Sequence, residues 1–236
     1  MARTPIWTSI NTALTTDIAE GRYGPGDKLP TEAVLAARFG VNRHTVRRAL
    51  AAMAENGLVH ARRGAGVFVA QTPTDYPIGR RVRFHQNLAA AGRAPAKEIL
   101  SLETRTADER EVEALQLPSG ANVHVYEGLS LADDAPVALF RSVFPAARFP
   151  GLLTDLDDTK SVTAALARHG VTDYTRSSTR LTAKLANTTQ ALHLRIAEGA
   201  PILRTVGINI DPAQTPIEYG HTWFAGDRVT LTVADL

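Results

Sequence analysis

Asn42-Arg43-His44-Thr45 is followed within one helical turn by Arg47-Arg48. On a helix Arg43 and Arg47, four residues apart, share a face. A guanidinium fork matches the O6 and N7 acceptors of guanine, worth roughly 1–3 kcal/mol of discrimination between bases. His44 and Thr45 can bond a phosphate or a base edge, and the free N–H groups of a helix start face anions. A second basic run, Arg62-Arg63-Gly64-Ala65-Gly66, is slim at its glycines and suits a neighbouring minor groove or backbone. One arginine alone reads as a solvated charge. A cluster on one helix plus a basic turn points to nucleic acid. The expected DNA contacts are Asn42, Arg43, His44, Thr45, Arg47, Arg62, Gly64 and Gly66.

A second group of residues suits a small anion. Arg81, Arg83 and His85 straddle the start of a predicted helix, where guanidinium, backbone N–H groups and helix dipole act together. Arg176, Ser178 and Arg180 alternate on a predicted strand, which would turn two cations and a hydroxyl to one side. Glu218 and Tyr219 lie in an apolar run with Ile217, Trp223 and Phe224. A carboxylate there can accept bonds from a ligand amine or hydroxyl, or form a surface salt bridge with Arg204 or Arg228.

Local signals say which elements must carry these groups. Ile6, Ile10, Leu14 and Ile18 recur every four residues and predict an amphipathic helix. The run 21–30, GRYGPGDKLP, stops it. Thr31 can N-cap a helix through Phe39, with Gly40 at its end. Asn42 can cap a third helix from Arg43 to about Asn56, with Val46, Ala49, Leu50 and Met53 at core spacing and Gly57 as its stop. Residues 58–69 then read as strand, glycine turn, strand. Three helices followed by a hairpin is the order of a winged helix, with a helix–turn–helix at 31–56.

The run 71–79 reads as a linker, and VRFHQNLAAAG beyond it as a short helix ending at Gly92. The remainder alternates β-prone runs (Val123–Tyr126, Pro136–Val143, Ser177–Leu185, Ile202–Ile210, Glu218–Phe224, Val229–Val233) with helical ones (Ala107–Leu115, Ser161–Gly170, Thr188–Ile196), which predicts a mixed α+β domain. The expected division is 1–70 for the winged helix, 71–78 for the linker and 79–236 for an effector domain.

Composition bounds the function. The 236 residues include no cysteine, which excludes disulfides, thiolate metal sites and a cysteine nucleophile. Residues 1–70 hold nine Lys/Arg and five acids, and the rest hold 17 and 19, so the excess positive charge lies in the first part. No apolar run nears the roughly 20 residues that span a bilayer, and the N-terminus lacks a signal-peptide core, so a cytoplasmic protein is expected. The chain carries no GxSxG, HExxH, Walker or GxGxxG motif, and its seven histidines are scattered. No catalytic residue, metal site or cofactor is expected. Asp155, Asp157 and Asp158 read as helix-capping residues.

The run PGDKLPTEAVLAARFGVNRHTVRRALAAMAENGLVHARRGAGVFV resembles the DNA-binding domain of GntR-family bacterial transcription regulators. That resemblance implies recognition through Asn42, Arg43, His44, Thr45 and Arg47, with Gly64 and Gly66 at the wing. Ala33 stands where some relatives carry an arginine, and a contact made there is lost. Residues 78–233 are similar to the UTRA effector-binding domain of the HutC subfamily, whose fold resembles chorismate lyase. PIEYGHTWFAGDRV, residues 216–229, carries most of that likeness. With DYPIGRRVRFHQNLAAAG and RSSTRLTAK, the whole looks most like PhnF-type regulators of phosphonate utilisation.

The resemblance places a ligand phosphate at Phe84 and His85. Gly128 and Ser130 stand where sugar-phosphate-binding relatives carry Arg-x-Arg, and Phe140 replaces a glutamate. His221 replaces the usual arginine and offers a pH-sensitive group. These departures favour an anion other than an amino-sugar phosphate. The expected effector contacts are Arg81, Arg83, Phe84, His85, Ser130, Arg176, Ser178, Arg180, Glu218 and Tyr219.

The expected function is a homodimeric repressor of phosphonate or organophosphate utilisation genes. It binds double-stranded operator DNA and is released by a small anionic effector that favours a head arrangement unable to span the half-sites. The alternatives are a GntR/UTRA repressor of amino-sugar or histidine use, and a lyase-like enzyme suggested by fold alone. On this reading Arg43→Ala abolishes specific DNA binding and spares the effector, and Arg180→Ala does the reverse.

Overall fold

The computed structural model describes residues 5–62, 64–70, 73–81, 92 and 94–233. The chain forms two units, Met1–Thr72 and Pro73–Leu236. The expected helix before Gly92 and the expected contacts Arg83, Phe84 and His85 lie outside the described residues.

In the first unit, α1 (Ile6–Ala19), α2 (Glu32–Phe39) and α3 (Arg43–Glu55) precede the hairpin β1 (Val59–Arg62) and β2 (Gly66–Val69). Each boundary has a local cause. The Thr31 hydroxyl accepts from the Val34 N–H, and Gly40 ends α2 in the left-handed region at φ 64°. Asn42 Oδ1 accepts from the Thr45 N–H at 2.9 Å and starts α3. Gly64 and Gly66 have φ of 75° and 119°, a conformation that L side chains rarely adopt, and so reverse the hairpin. Ile10, Leu14, Leu35, Val46, Leu50 and Met53 form the core with Val59 and Val69.

Among the described residues of this unit, one charged side chain is buried. Asp17, with a side chain only 6% exposed, is bracketed by Arg22 and Arg38, each at 2.6 Å, and so ties α1 to α2.

The second unit is built on a six-stranded antiparallel sheet in the order β4-β5-β6-β9-β8-β7. Its strands are β4 (Pro95–Thr106), β5 (Asn122–Ala132), β6 (Ala135–Pro145), β7 (Thr175–Leu185), β8 (Pro201–Ile210) and β9 (Pro216–Ala225). On one face α5 (Leu152–Thr159) and α6 (Val162–Arg168) cover Tyr126, Phe140 and Phe144. On the other, α4 (Glu109–Leu115) covers Val123, Val125 and Val143, and α7 (Thr188–Leu194) covers Ile202. Part of the expected linker is a strand: β3 (Thr74–Pro77) pairs in parallel with β10 (Val229–Thr232), where Tyr76 and Val229 enter an apolar cluster with Phe224. Burial of that aromatic outweighs the turn-like composition of the run.

β4 has no counterpart in the sequence reading. A bulge between Ile99 and Ser101 breaks its alternation, so it lacks the period-two pattern of a strand. Asp155, Asp157 and Asp158 lie within α5 and do not cap it. Asp155 and Asp158 bind Arg168, and Asp155 also bonds His169. Among the described residues no helix is long and apolar enough to cross a membrane.

The Arg38 hydrogen bond and the nearby arginine charges hold the Asp17 carboxyl below its ordinary value, against the opposing effect of burial. The pair therefore stabilises the fold above the ordinary carboxyl pKa and stops doing so as pH falls through the lowered one. Asp17→Asn is expected to cost about 1.5–3 kcal/mol at pH 7, the range for hydrogen bonds to charged groups. Thermal unfolding of the full chain should show the deficit at pH 7 and its disappearance in strong acid.

Candidate functional site

Side chains within α3 leave its front open. Asn42 Oδ1 accepts from both the N–H and the hydroxyl of Thr45, at 2.9 and 3.0 Å, so these two residues occupy each other. Arg43 and His44 remain exposed. Arg47 is held elsewhere: Nε and Nη2 donate to the two oxygens of Glu32 at 2.9 and 2.7 Å. Arg47 is 63% exposed, so solvent screens the pair and it adds little to stability. Arg48 lies over the Trp7 ring, 4.9 Å from its centroid. Gly64 and Gly66 are exposed at the hairpin tip. Arg62 takes part in β1, pairing with Gly66.

In the second unit, the sheet face beneath α6 holds a cavity of about 400 Å³. This is a size typical of small-molecule sites. Its wall includes Lys97, Ser130, Ser142, Arg176, Thr179, Thr205, Asn209, Glu218 and Thr222, with Phe140, Tyr174, Tyr76 and Phe224 as apolar surfaces. The pairing register explains this membership. Lys97 faces Ser130, Ser142 faces Gly220, Asn209 faces Glu218, and Arg176 faces Asn209 across neighbouring strands. Directly opposed residues point to one face.

Glu218 sits at the centre and is 8% exposed. The Ser142 hydroxyl donates to Oε1 and Asn209 Nδ2 donates to Oε2, each at 2.6 Å. These bonds replace the salt bridge with Arg204 or Arg228 considered from the sequence. Lys97 Nζ lies 4.7 Å from the centroid of the Phe140 ring. Burial pushes its ammonium down to about 8, partly opposed by the Glu218 charge.

The structure divides the expected effector contacts. Ser130, Arg176 and Glu218 line one cavity. Ser178 and Arg180 do not share the Arg176 face: a bulge between Arg176 and Ser178 shifts the alternation by one, so Thr179 replaces them on the cavity wall. Tyr219 lies on the opposite face of β9, 4.7 Å from the His221 ring. Arg81 is exposed and bonds Asp173 at 2.6 Å, away from the cavity wall.

Lys97, Ser142, Asn209 and Thr222 went unrecognised in the sequence. Lys97 sits on the strand whose alternation is broken, and the others are ordinary polar residues until the sheet register aligns them. Arg228, in the GDR run, donates to the carbonyls of Pro136, Leu194 and Arg195 and so joins three segments.

The comparisons agree with this two-part arrangement. Residues 8–69 match the model of the bacterial regulatory proteins of the gntR family, and residues 90–230 match the UTRA domain. The chain belongs to the GntR family of transcription regulators. It carries a UTRA domain, and the curated relatives it matches are transcription regulators. An uncharacterized HTH-type transcriptional regulator of Rhizobium meliloti is 38% identical over 229 residues, covering 97% of this chain and 94% of that one. The probable transcriptional regulator PhnF of Escherichia coli is 33% identical, covering 89% and 88%. The crystal structure of PhnF from Mycobacterium smegmatis superposes with a TM-score of 0.66 at 27% identity, covering 96% of this chain and 99% of that one.

His221 does not supply the pH-sensitive contact considered above. It faces away from the cavity, accepts at Nδ1 from Arg204 Nη2 at 3.2 Å, and stacks on Trp223. Burial, then the Arg204 and Arg141 charges, push it down to about 4. Between the ordinary histidine value near 6.5 and about 4, the unfolded chain binds this proton and the folded chain does not, so stability falls as pH drops through that window. His221→Gln should flatten the loss over that range in pH-dependent unfolding, and His221 should remain neutral by NMR from pH 6 to 8.

Proposed function

We propose that this GntR/UTRA regulator is an operator-binding repressor released by a small anionic effector, and that the effector is a phosphonate or organophosphate. The observation that carries the reading is a cavity with two cations, Lys97 and Arg176, around a Glu218 whose oxygens are already held by Ser142 and Asn209, in a unit separate from the exposed arginine-bearing front of α3. The likeness to PhnF-type regulators supports the ligand class and the control of phosphonate-utilisation genes. The chain acts as a homodimer, with two heads on pseudo-palindromic half-sites. Release requires the effector to bind the DNA-free form more tightly, by the same factor by which it weakens DNA binding.

A second reading has one observation in its favour. The hydroxyls of Ser130, Ser142, Thr163, Thr205 and Thr222 line the cavity and suit a polyhydroxylated ligand such as a sugar phosphate. Mass spectrometry of ligand released from the purified protein separates the two.

The test is a gel shift on DNA upstream of the regulated genes, with and without methylphosphonate and phosphate esters. Arg43→Ala should lose roughly 1–3 kcal/mol of specific binding, the value of one bidentate base contact, with effector affinity unchanged. Arg176→Ala should do the reverse, taking the role expected of Arg180. No sequence-specific shift at any salt concentration would end the proposal. Anion affinity should also fall as pH rises through about 8, where Lys97 gives up its proton, measured by calorimetry from pH 7 to 9.

A further inference from the structure

Among the described residues, the Nε of Arg176 is a buried polar atom without a hydrogen-bond partner. No ion pair holds the side chain there. Its position has another cause. A Cβ added to Gly207 would lie 2.7 Å from Arg176 Cζ and 3.0 Å from Cδ, with Nη1 nearer still. The guanidinium therefore fills the space that a side chain at Gly207 on β8 would take. Gly207 is absent from the residues with positive φ, so the backbone does not require glycine there. What the position requires is space. Across the pairing, Gly220 faces Gly207, so the shelf is bare on both strands.

The strand carrying Arg176 is fixed independently. Its N–H donates to the Arg80 carbonyl at 2.8 Å, and Ser177 Oγ donates to the Ile208 carbonyl at 3.1 Å beside the bulge. The bulge aims Arg176 at the cavity, and the missing side chain at Gly207 lets it stay there.

We infer that Gly207 is a positioning residue for effector capture: its bare backbone seats the Arg176 guanidinium as the anchor for a phosphonate or phosphate group. The inference rests on the anion-pocket reading above and adds the residue that makes the anchor possible. A guanidinium held on the cavity wall can offer a charge-assisted N–H donor to a ligand oxygen, a contact stronger than one between neutral groups. Any side chain at 207 occupies the seat and displaces the anchor.

The experiment uses the full chain and two probes, inorganic phosphate and methylphosphonate, with calorimetry or NMR titration as readout. Gly207→Ala and Arg176→Ala should each weaken binding by about tenfold or more, the scale of a lost charge-assisted contact. The double variant should bind no more weakly than Arg176→Ala alone. Thermal unfolding gives a readout independent of ligand. Gly207→Ala should lower Tm beside Arg176, and the loss should vanish in the Arg176→Ala background, where nothing occupies the seat. Binding by Gly207→Ala within about twofold of the parent, or an equal Tm loss in both backgrounds, overturns the inference. Failure of the parent chain to bind either probe, with the Tm coupling intact, overturns the anion pocket and leaves the steric relation of Gly207 and Arg176 standing.

Discussion

Glu218 is a carboxylate in the middle of a sheet, and a charge withdrawn from water must find donors at close range. Its donors are neutral and come from the two neighbouring strands, Ser142 on β6 and Asn209 on β8. Two consequences follow. The three central strands are locked in register by side chains as well as by backbone, and neither Glu218 oxygen is paired with Arg176. The cavity wall carries two cationic side chains, Lys97 and Arg176, beside Glu218, whose two oxygens are held by a hydroxyl and an amide.

The first unit follows the same logic around a different acid. Asp17 is buried and answered by two arginines, which fixes α1 against α2. The cap of α3 is closed by Asn42 and Thr45 themselves. With these groups satisfied, the exposed side chains at the front of α3 are Arg43 and His44, while Arg47 waits in an exposed pair with Glu32. The side chains left exposed there are those that the packing of the unit does not use.

The cations of the cavity have a specific origin. Gly128 has no side chain where one would meet the Glu98 carbonyl and the Phe140 ring, whose Cζ would lie 2.7 Å from a Cβ there. Lys97 on β4 sits over that ring, and Arg176 enters from β7 over Gly207. Positive charge is thus supplied from the outer strands of the sheet, and the inner strands give glycine, aromatic and hydroxyl surface.

Helices, caps and hairpin of the first unit were legible because each depends on residues within about four positions of one another: Thr31 with Val34, Asn42 with Thr45, Gly64 with Gly66. The second unit was legible as a class of fold and, through the GDR run, as a family. Of the effector contacts expected from the sequence, the cavity wall holds Ser130, Arg176 and Glu218. Strict alternation placed Ser178 and Arg180 beside Arg176, but a one-residue bulge turns them to the other face, and no local composition announces it. Lys97 was hidden by a second bulge in its own strand. Local chemistry, written in neighbouring residues, determined where this chain turns, caps and carries its arginines. Which of those charges meet in one cavity was decided by strand pairings between residues far apart in sequence, because a sheet assigns side chains to faces only once its register is set.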